Sequence, residues 1–316
     1  HSRPNVTVSS TPTMSGLLPV LFLRPSRLLV LPLHPTPTAA SSRLLARAPT
    51  AGRRIRFPDS DSTSLPEPKA FCSVGTPMGI SKVTGIAATT LLFASLGLRK
   101  AGAWTAATAP ILATSCVAYV VTVASHTAVN VPWILGKSPS GRFPIWSAVL
   151  FGPFLILARN YAKVKRFLRK ENVYDEIAQG LYLGGWPFME KHLPPGDPSV
   201  VDCTCELPRS GFVKVDEYIC LATWDTRAPA PSQIEFAARW ACEKRAQGKP
   251  VLVHCAFGHG RSACVMCAIL VATGIAENWK DAENVIRGKR KIKMNALHRK
   301  TLEDWSKSRV VQKKEN

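Results

Sequence analysis

Acidic residues are almost missing from the first half of this 316-residue chain: Asp59, Asp61 and Glu67 are the only carboxylates before Glu171. Residues 1–170 carry 20 Lys and Arg against 3 Asp and Glu, a net of +17, whereas residues 171–316 carry 21 against 18, a net of +3. The strongly basic balance is therefore an N-terminal property. It does not describe a nucleic-acid surface, because no aromatic-interleaved basic stripe accompanies it, and no nucleic acid is expected as a partner. Formal charge of either sign is absent from Ala101 to Gly136. The nine cysteines are odd in number and scattered, which argues against a disulfide scaffold and for a reducing compartment for residues 171–316.

Composition divides the chain into three parts. Residues 1–56 hold eight arginines and no acid among Ser, Thr, Pro and Leu; an organellar transit peptide and a plain disordered basic tail fit equally well. A Ser/Pro-rich linker follows to residue 76. Met78-Gly79 has Val83 where a myristoylation signal requires Ser or Thr.

From 77 to 170 the chain reads as a helical membrane region. Trp104–Ala124 alone is long enough to cross a hydrocarbon core of about 30 Å. Val83–Leu98 and Phe143–Ala158, 16 residues each, are shorter, so about three spans are expected; the alternative is a buried helical pair in a soluble domain. Arg159, Lys163, Lys165, Arg166, Arg169 and Lys170 follow the last run. The positive-inside rule keeps that cluster, and the domain after it, on the cytosolic or stromal/matrix side of a chloroplast, mitochondrial or other membrane. Trp146 and Tyr161 would sit at the interfaces, and the cluster would attract anionic head groups at about 1 kcal/mol per basic residue.

Residues 171–316 read as one α/β domain. Leu181–Leu183 is a short strand with a Gly184-Gly185 turn, and Ser199–Thr204, Tyr218–Ala222 and Val251–Val253 are buried strands. Ser232 and Glu235 have capping-box spacing, opening a helix that ends at Gly248. Further helices are expected over 262–273, 276–287 and 296–307, with helices on both faces of the sheet.

The chemistry concentrates at Val253-His254-Cys255-Ala256-Phe257-Gly258-His259-Gly260-Arg261-Ser262. A loop between strand and helix turns its successive N–H groups inward, and the helix N-terminus points at the same spot, so the loop favours a tetrahedral oxyanion. The same dipoles stabilise a Cys255 thiolate. Arg261 clamps two oxygens with a planar fork, the glycines permit positive φ, and Ser262 can donate to the sulfur.

His254-Cys255-x5-Arg261-Ser262 resembles the signature of the cysteine-dependent protein tyrosine and dual-specificity phosphatase superfamily. The resemblance implies a central mixed sheet flanked by helices, no cofactor and no metal. It implies Cys255 as nucleophile, Arg261 and loop residues Ala256, Phe257, Gly258, His259 and Gly260 as the phosphate site, and Ser262 as the hydroxyl that assists sulfur departure. It places the general acid about thirty residues upstream, where Asp225 stands beside Trp224, although the family's Trp-Pro-Asp order is not kept; Asp202, Asp216 and Glu217 are the weaker candidates. His254 is then a support beneath the loop, and Asn295 either a loop support or a helix N-cap. Cys264-x2-Cys267 and Cys203-x-Cys205 read as core packing, the latter on one strand face.

These readings converge on a membrane-anchored phosphatase. Its substrate would be protein phosphotyrosine, phosphoserine or phosphothreonine, or a membrane phospholipid; an idle phosphate-binding scaffold and a sulfur transferase are the rivals. The loop's lip, Ala256, Phe257 and His259, lacks lysine, which weighs against polyphosphoinositides.

Overall fold

A computed structural model of the chain describes residues 79–315, with side chains through Val310. The basic segment 1–56 and its linker lie outside the described residues.

Two helices, α1 (Ile80–Lys100) and α2 (Thr105–Ala124), pair as a hairpin whose connection turns through Gly102 at φ +87°. Their mutual face is small and hydroxylated: Ser115 Oγ donates to the Ala88 carbonyl at 2.7 Å, and Ser95 Oγ to that of Thr108 at 3.2 Å. The large apolar residues Ile86, Phe93, Leu96, Val120 and Val123 point outward and are exposed. Both helices are long and apolar enough to cross a membrane.

The third apolar run forms no third helix of that length. It is divided into α3 (Ile145–Leu150) and α4 (Gly152–Arg169), which meet at the buried Phe151. Pro153 explains the break, because a residue without an N–H can open a helix but disrupts its middle. The basic cluster therefore belongs to α4 itself.

The sheet has strand order β1-β2-β5-β3-β4, from β1 (Tyr174–Ala178), β2 (Leu181–Gly185), β3 (Ser199–Asp202), β4 (Tyr218–Cys220) and β5 (Val251–Cys255). β1 is antiparallel to β2 and every other pair is parallel, so the sheet is mixed. β1 was hidden from pattern reading because its sequence, YDEIA, is an edge strand with two acids. Gly184 and Gly185 continue β2 rather than turning, opposite His254 and Cys255. A side chain at Gly185 would collide with the Arg166 guanidinium and come within 2.9 Å of the Ala256 carbonyl.

Alternate residues of the parallel strands face opposite sides. Leu181, Leu183, Val201, Val251 and Val253 join a core shared with α5 (Pro231–Ala246), α6 (Arg261–Ala272), α7 (Trp279–Lys289) and α8 (Ala296–Glu315). Tyr182, Val200 and Leu252 meet Leu193 and Val213 instead, so irregular chain, not helices, covers that side. Every residue of α6 from Arg261 to Leu270 is buried. Cys264 and Cys267 lie in this core, whereas Cys203 and Cys205 follow β3 and enter two different clusters. The start of α5 also differs from expectation: Pro231 is its first residue, and Gln233 rather than Ser232 closes the cap by accepting the Ala230 N–H at 2.9 Å.

Lys137, after the short 3-10 helix Pro132–Leu135, is buried beneath the sheet's active end. Its Nζ donates to Asp202 Oδ2 at 2.7 Å and to the Thr204 carbonyl at 2.8 Å. Asp202 also accepts from Tyr218 Oη at 2.8 Å and from the Thr204 N–H and hydroxyl at 2.8 and 2.7 Å. Burial pushes the Asp202 carboxyl up, but Lys137, His254 and Thr204 pull it further down, to about 2. Its pairing therefore stabilises the fold fully above the ordinary carboxyl range and is lost as pH falls toward about 2. Removing one partner of a buried pair costs about 3–5 kcal/mol. Lys137→Met should destabilise the chain by that amount in denaturant titration at neutral pH, an outcome that a surface lysine would not produce.

Candidate active site

The loop after β5 is a cup around one sulfur. Gly258 N–H donates to Cys255 Sγ at 3.2 Å and Ser262 Oγ at 3.3 Å. Gly258 has φ +79°, and a Cβ there would lie 2.6 Å from the Gly184 backbone, so only glycine lets the loop close against β2. Burial raises the Cys255 pKa, yet the Arg261 charge, the Ser262 hydroxyl and loop N–H groups outweigh it, and the thiol ends below its ordinary value.

Arg261 is buried and fully oriented. Glu206 accepts from both ends of its fork, Nη2 to Oε1 at 2.9 Å and Nη1 to Oε2 at 3.1 Å, and the Thr223 carbonyl accepts from Nη1 at 2.7 Å. Nε is buried and has no partner among the described residues. A guanidinium held on one side with a spare buried N–H is suited to donate to an oxyanion.

Asp225 reaches this arginine from the loop after β4, its Oδ1 3.2 Å from Nη2, with the carboxylate half-exposed at the rim. Two of the other acids are committed elsewhere. Asp202 is paired with Lys137, and Glu217 with Lys244 and Lys249. Asp216 offers only its carbonyl, to Lys244.

The acid loop is strapped from two sides. Asn295 Nδ2 donates to the Thr226 carbonyl at 2.8 Å while its Oδ1 accepts the His298 N–H at 2.9 Å, so it is both a support and a helix cap, but for the acid loop. The Asn295 N–H donates to His298 Nδ1 at 3.1 Å, which leaves the proton on Nε2, 2.9 Å from the Arg227 carbonyl. Burial, against that carbonyl, takes the His298 pKa down to about 4 and keeps the ring neutral. On the other side, Arg227 Nη2 donates to the Ser125 carbonyl at the end of α2, at 2.9 Å. Thr226, at φ +67°, makes the intervening turn.

His254 lies beneath the cup, buried, Nδ1 3.3 Å from the Cys255 carbonyl and Nε2 3.9 Å from Asp202. His259 is committed to Glu171 through Nε2 at 2.7 Å. Arg290 supports the loop from behind, donating to the Gly258 and Phe257 carbonyls at 3.2 and 3.0 Å and pairing with Asp175. Ala256 packs with Trp186, Leu207 and Ala162 of α4.

The lip is not uncharged. Arg169 lies 5.2 Å and Lys165 Nζ 5.6 Å from the centre of the Phe257 ring, and Tyr161 meets that ring edge-on at 6.1 Å. Arg166 stacks over Phe188 at 5.2 Å; burial and the Arg290 charge lower its pKa to about 10 despite the proximity of Cys255. Sequence reasoning missed Glu206, Lys137, Arg290, Arg166 and His298, each separated from the signature in the chain or lacking a recognisable spacing to it.

An activated thiol seated in an anion-binding turn, with an oriented arginine and an acid at the rim, defines a cysteine-dependent phosphoryl-transfer site. Residues 199–308 match the family "Dual specificity phosphatase, catalytic domain", so this part of the chain is a dual-specificity-phosphatase-like catalytic domain. No curated protein matches the chain. Among solved structures it is similar to PTPMT1 (20% identity over 45% of this chain and 99% of that one, TM-score 0.38). It is also similar to human DUSP28 (17% identity, 44% and 95%, TM-score 0.39) and to Tk-PTP in the active form (25% identity, 43% and 97%, TM-score 0.36).

The lowered thiol predicts that the pH profile of Cys255 alkylation by iodoacetamide bends below the ordinary thiol range, with little change in rate above that bend. Ser262→Ala should move the bend upward; an unmoved profile would show that the hydroxyl does not stabilise the thiolate.

Proposed function

We propose that the protein is a membrane-anchored phosphatase that hydrolyses phosphomonoesters in two steps through a cysteinyl-phosphate. The observation that carries this reading is the Cys255 sulfur held by Gly258 N–H and Ser262 Oγ beside an Arg261 whose Nε is unpartnered. Cys255 Sγ attacks phosphorus, the S–P bond forms as the P–O bond breaks, and the departing oxygen takes its proton from Asp225. Arg261 and the loop N–H groups hold the equatorial oxygens, where charge accumulates. Asp225 then takes a proton from water, the water oxygen attacks phosphorus, and the thiolate leaves, assisted by Ser262.

The membrane part of the reading is supported by α1 and α2, which place hydroxyls and small residues between them and large apolar residues outside, the pattern suited to hydrocarbon as solvent. Two spans would return the chain to the side from which it started. The catalytic domain meets the Ser125 end of α2, and the positive-inside rule assigns that side to the basic cluster of α4. Protein phosphate substrates follow from the family resemblance; Lys165, Arg166 and Arg169 at the mouth favour a second reading, a phosphorylated membrane lipid.

Cys255→Ser in the full chain should abolish release of phosphate from 4-nitrophenyl phosphate while retaining binding of phosphate; full activity would remove the mechanism. Asp225→Asn should lower kcat about 10²–10⁴-fold on phenyl phosphate, the range for positioned acid catalysis. The loss should be smaller on 4-nitrophenyl phosphate, whose leaving group needs less protonation, and an equal loss on both would argue that Asp225 is not the acid.

A further inference from the structure

Helix α4 has two faces of opposite character. Leu155, Ala162 and Arg166 turn toward the rest of the protein, with Leu155 and Ala162 buried. On the other side Ile156, Leu157, Val164, Phe167 and Leu168 are all exposed, Phe167 by 84% and Leu168 by 72%. At the helical period these five share an arc of about 120°, interrupted only by Asn160. Lys163 borders the arc on one side, Tyr161 and Lys165 on the other. A stripe of that size on a helix facing water would be an aggregation liability, so it marks a surface made to be covered.

The chemistry of the borders identifies the cover. Lys163 and Lys165 form no ion pair among the described residues, whereas Arg261 and Arg290 are both paired with carboxylates. An apolar stripe edged by unpaired cations suits the boundary between acyl chains and anionic head groups. A water-filled interface with a second copy would leave those like charges facing one another. The helix also follows α3, whose Ile145, Trp146 and Val149 are exposed. This apolar surface adjoins the end of the α1–α2 hairpin through the cluster that joins Phe151 and Leu155 to Val121 and Ala124.

We propose that the outer face of α4 lies in the head-group region of an anionic bilayer, its apolar arc inserted and its lysine borders among the phosphates, so that the cup behind it receives phosphomonoesters carried on lipid. Lys165 touches both environments: it borders the arc and stands over Phe257 at the lip, while Arg169, farther round toward the buried face, stands over the same ring. The lipid-substrate half of this inference rests on the phosphatase reading, whereas the surface half does not.

The test uses the full chain reconstituted in phosphatidylcholine vesicles with and without phosphatidylglycerol. A diazirine amino acid replacing Val164 or Leu168 should form lipid adducts, more of them with phosphatidylglycerol, while one replacing the exposed Phe236 on α5 should form few. Adducts to protein at 164 and 168, or yields no higher than at 236, would overturn the surface. Val164→Gln with Leu168→Gln should lower turnover of vesicle-borne phosphatidate about tenfold and leave 4-nitrophenyl phosphate hydrolysis unchanged. Unchanged phosphatidate turnover, or equal loss on both substrates, would overturn lipid delivery. If the wild-type chain hydrolyses neither substrate, the phosphatase reading fails, and the cross-linking still decides the surface.

Discussion

The arrangement of the site depends on the buried pair of Arg261 and Glu206. Burying a guanidinium is costly unless its charge and its donors are matched, and here two parallel hydrogen bonds to one carboxylate and a third to a backbone carbonyl do so. The pair joins three separate pieces of chain: Glu206 after β3, Thr223 after β4 and Arg261 at the first turn of α6. With one side of the fork occupied, the guanidinium keeps a single orientation, and Nε is the donor left for an anion. The same charge lowers the Cys255 pKa, so one interaction both orients a buried donor and favours the thiolate beside it.

Around this pair the supports divide by origin. The cup is closed by glycine contacts with β2 and by Arg290 from the end of α7. The acid loop is held by α8 through Asn295 and His298 and by the end of α2 through Arg227. Lys137, from the connection that follows the hairpin, neutralises Asp202 beneath His254. The segment before β1 therefore completes the underside of the catalytic domain and one wall of its mouth.

That wall alters the picture of substrate access. Read alone, Ala256, Phe257 and His259 make an uncharged lip, but His259 is turned to Glu171 and the cations arrive on α4. The lip is therefore built from two elements that are distant in the chain, with the aromatic ring of Phe257 as their meeting point.

Local rules were enough for the nucleophilic loop. Cys255, Arg261 and Ser262 are bound together by short spacing, and strand, glycine-rich turn and buried helix are each written in adjacent residues, so their geometry followed from the sequence. The position of Asp225 beside Arg261 was legible for a similar reason, since a strand end fixes where the next residues emerge. The partners of these groups were not legible. Glu206, Lys137, Arg290 and His298 are ordinary polar residues whose roles arise only when non-adjacent segments are brought within about 3 Å, the distance at which hydrogen bonds become selective. The apolar runs show the same division: hydropathy alone identified a membrane-like stretch, but Pro153 and the packing of Phe151 decided that its last part would be two helices, one of them laid against the catalytic cup.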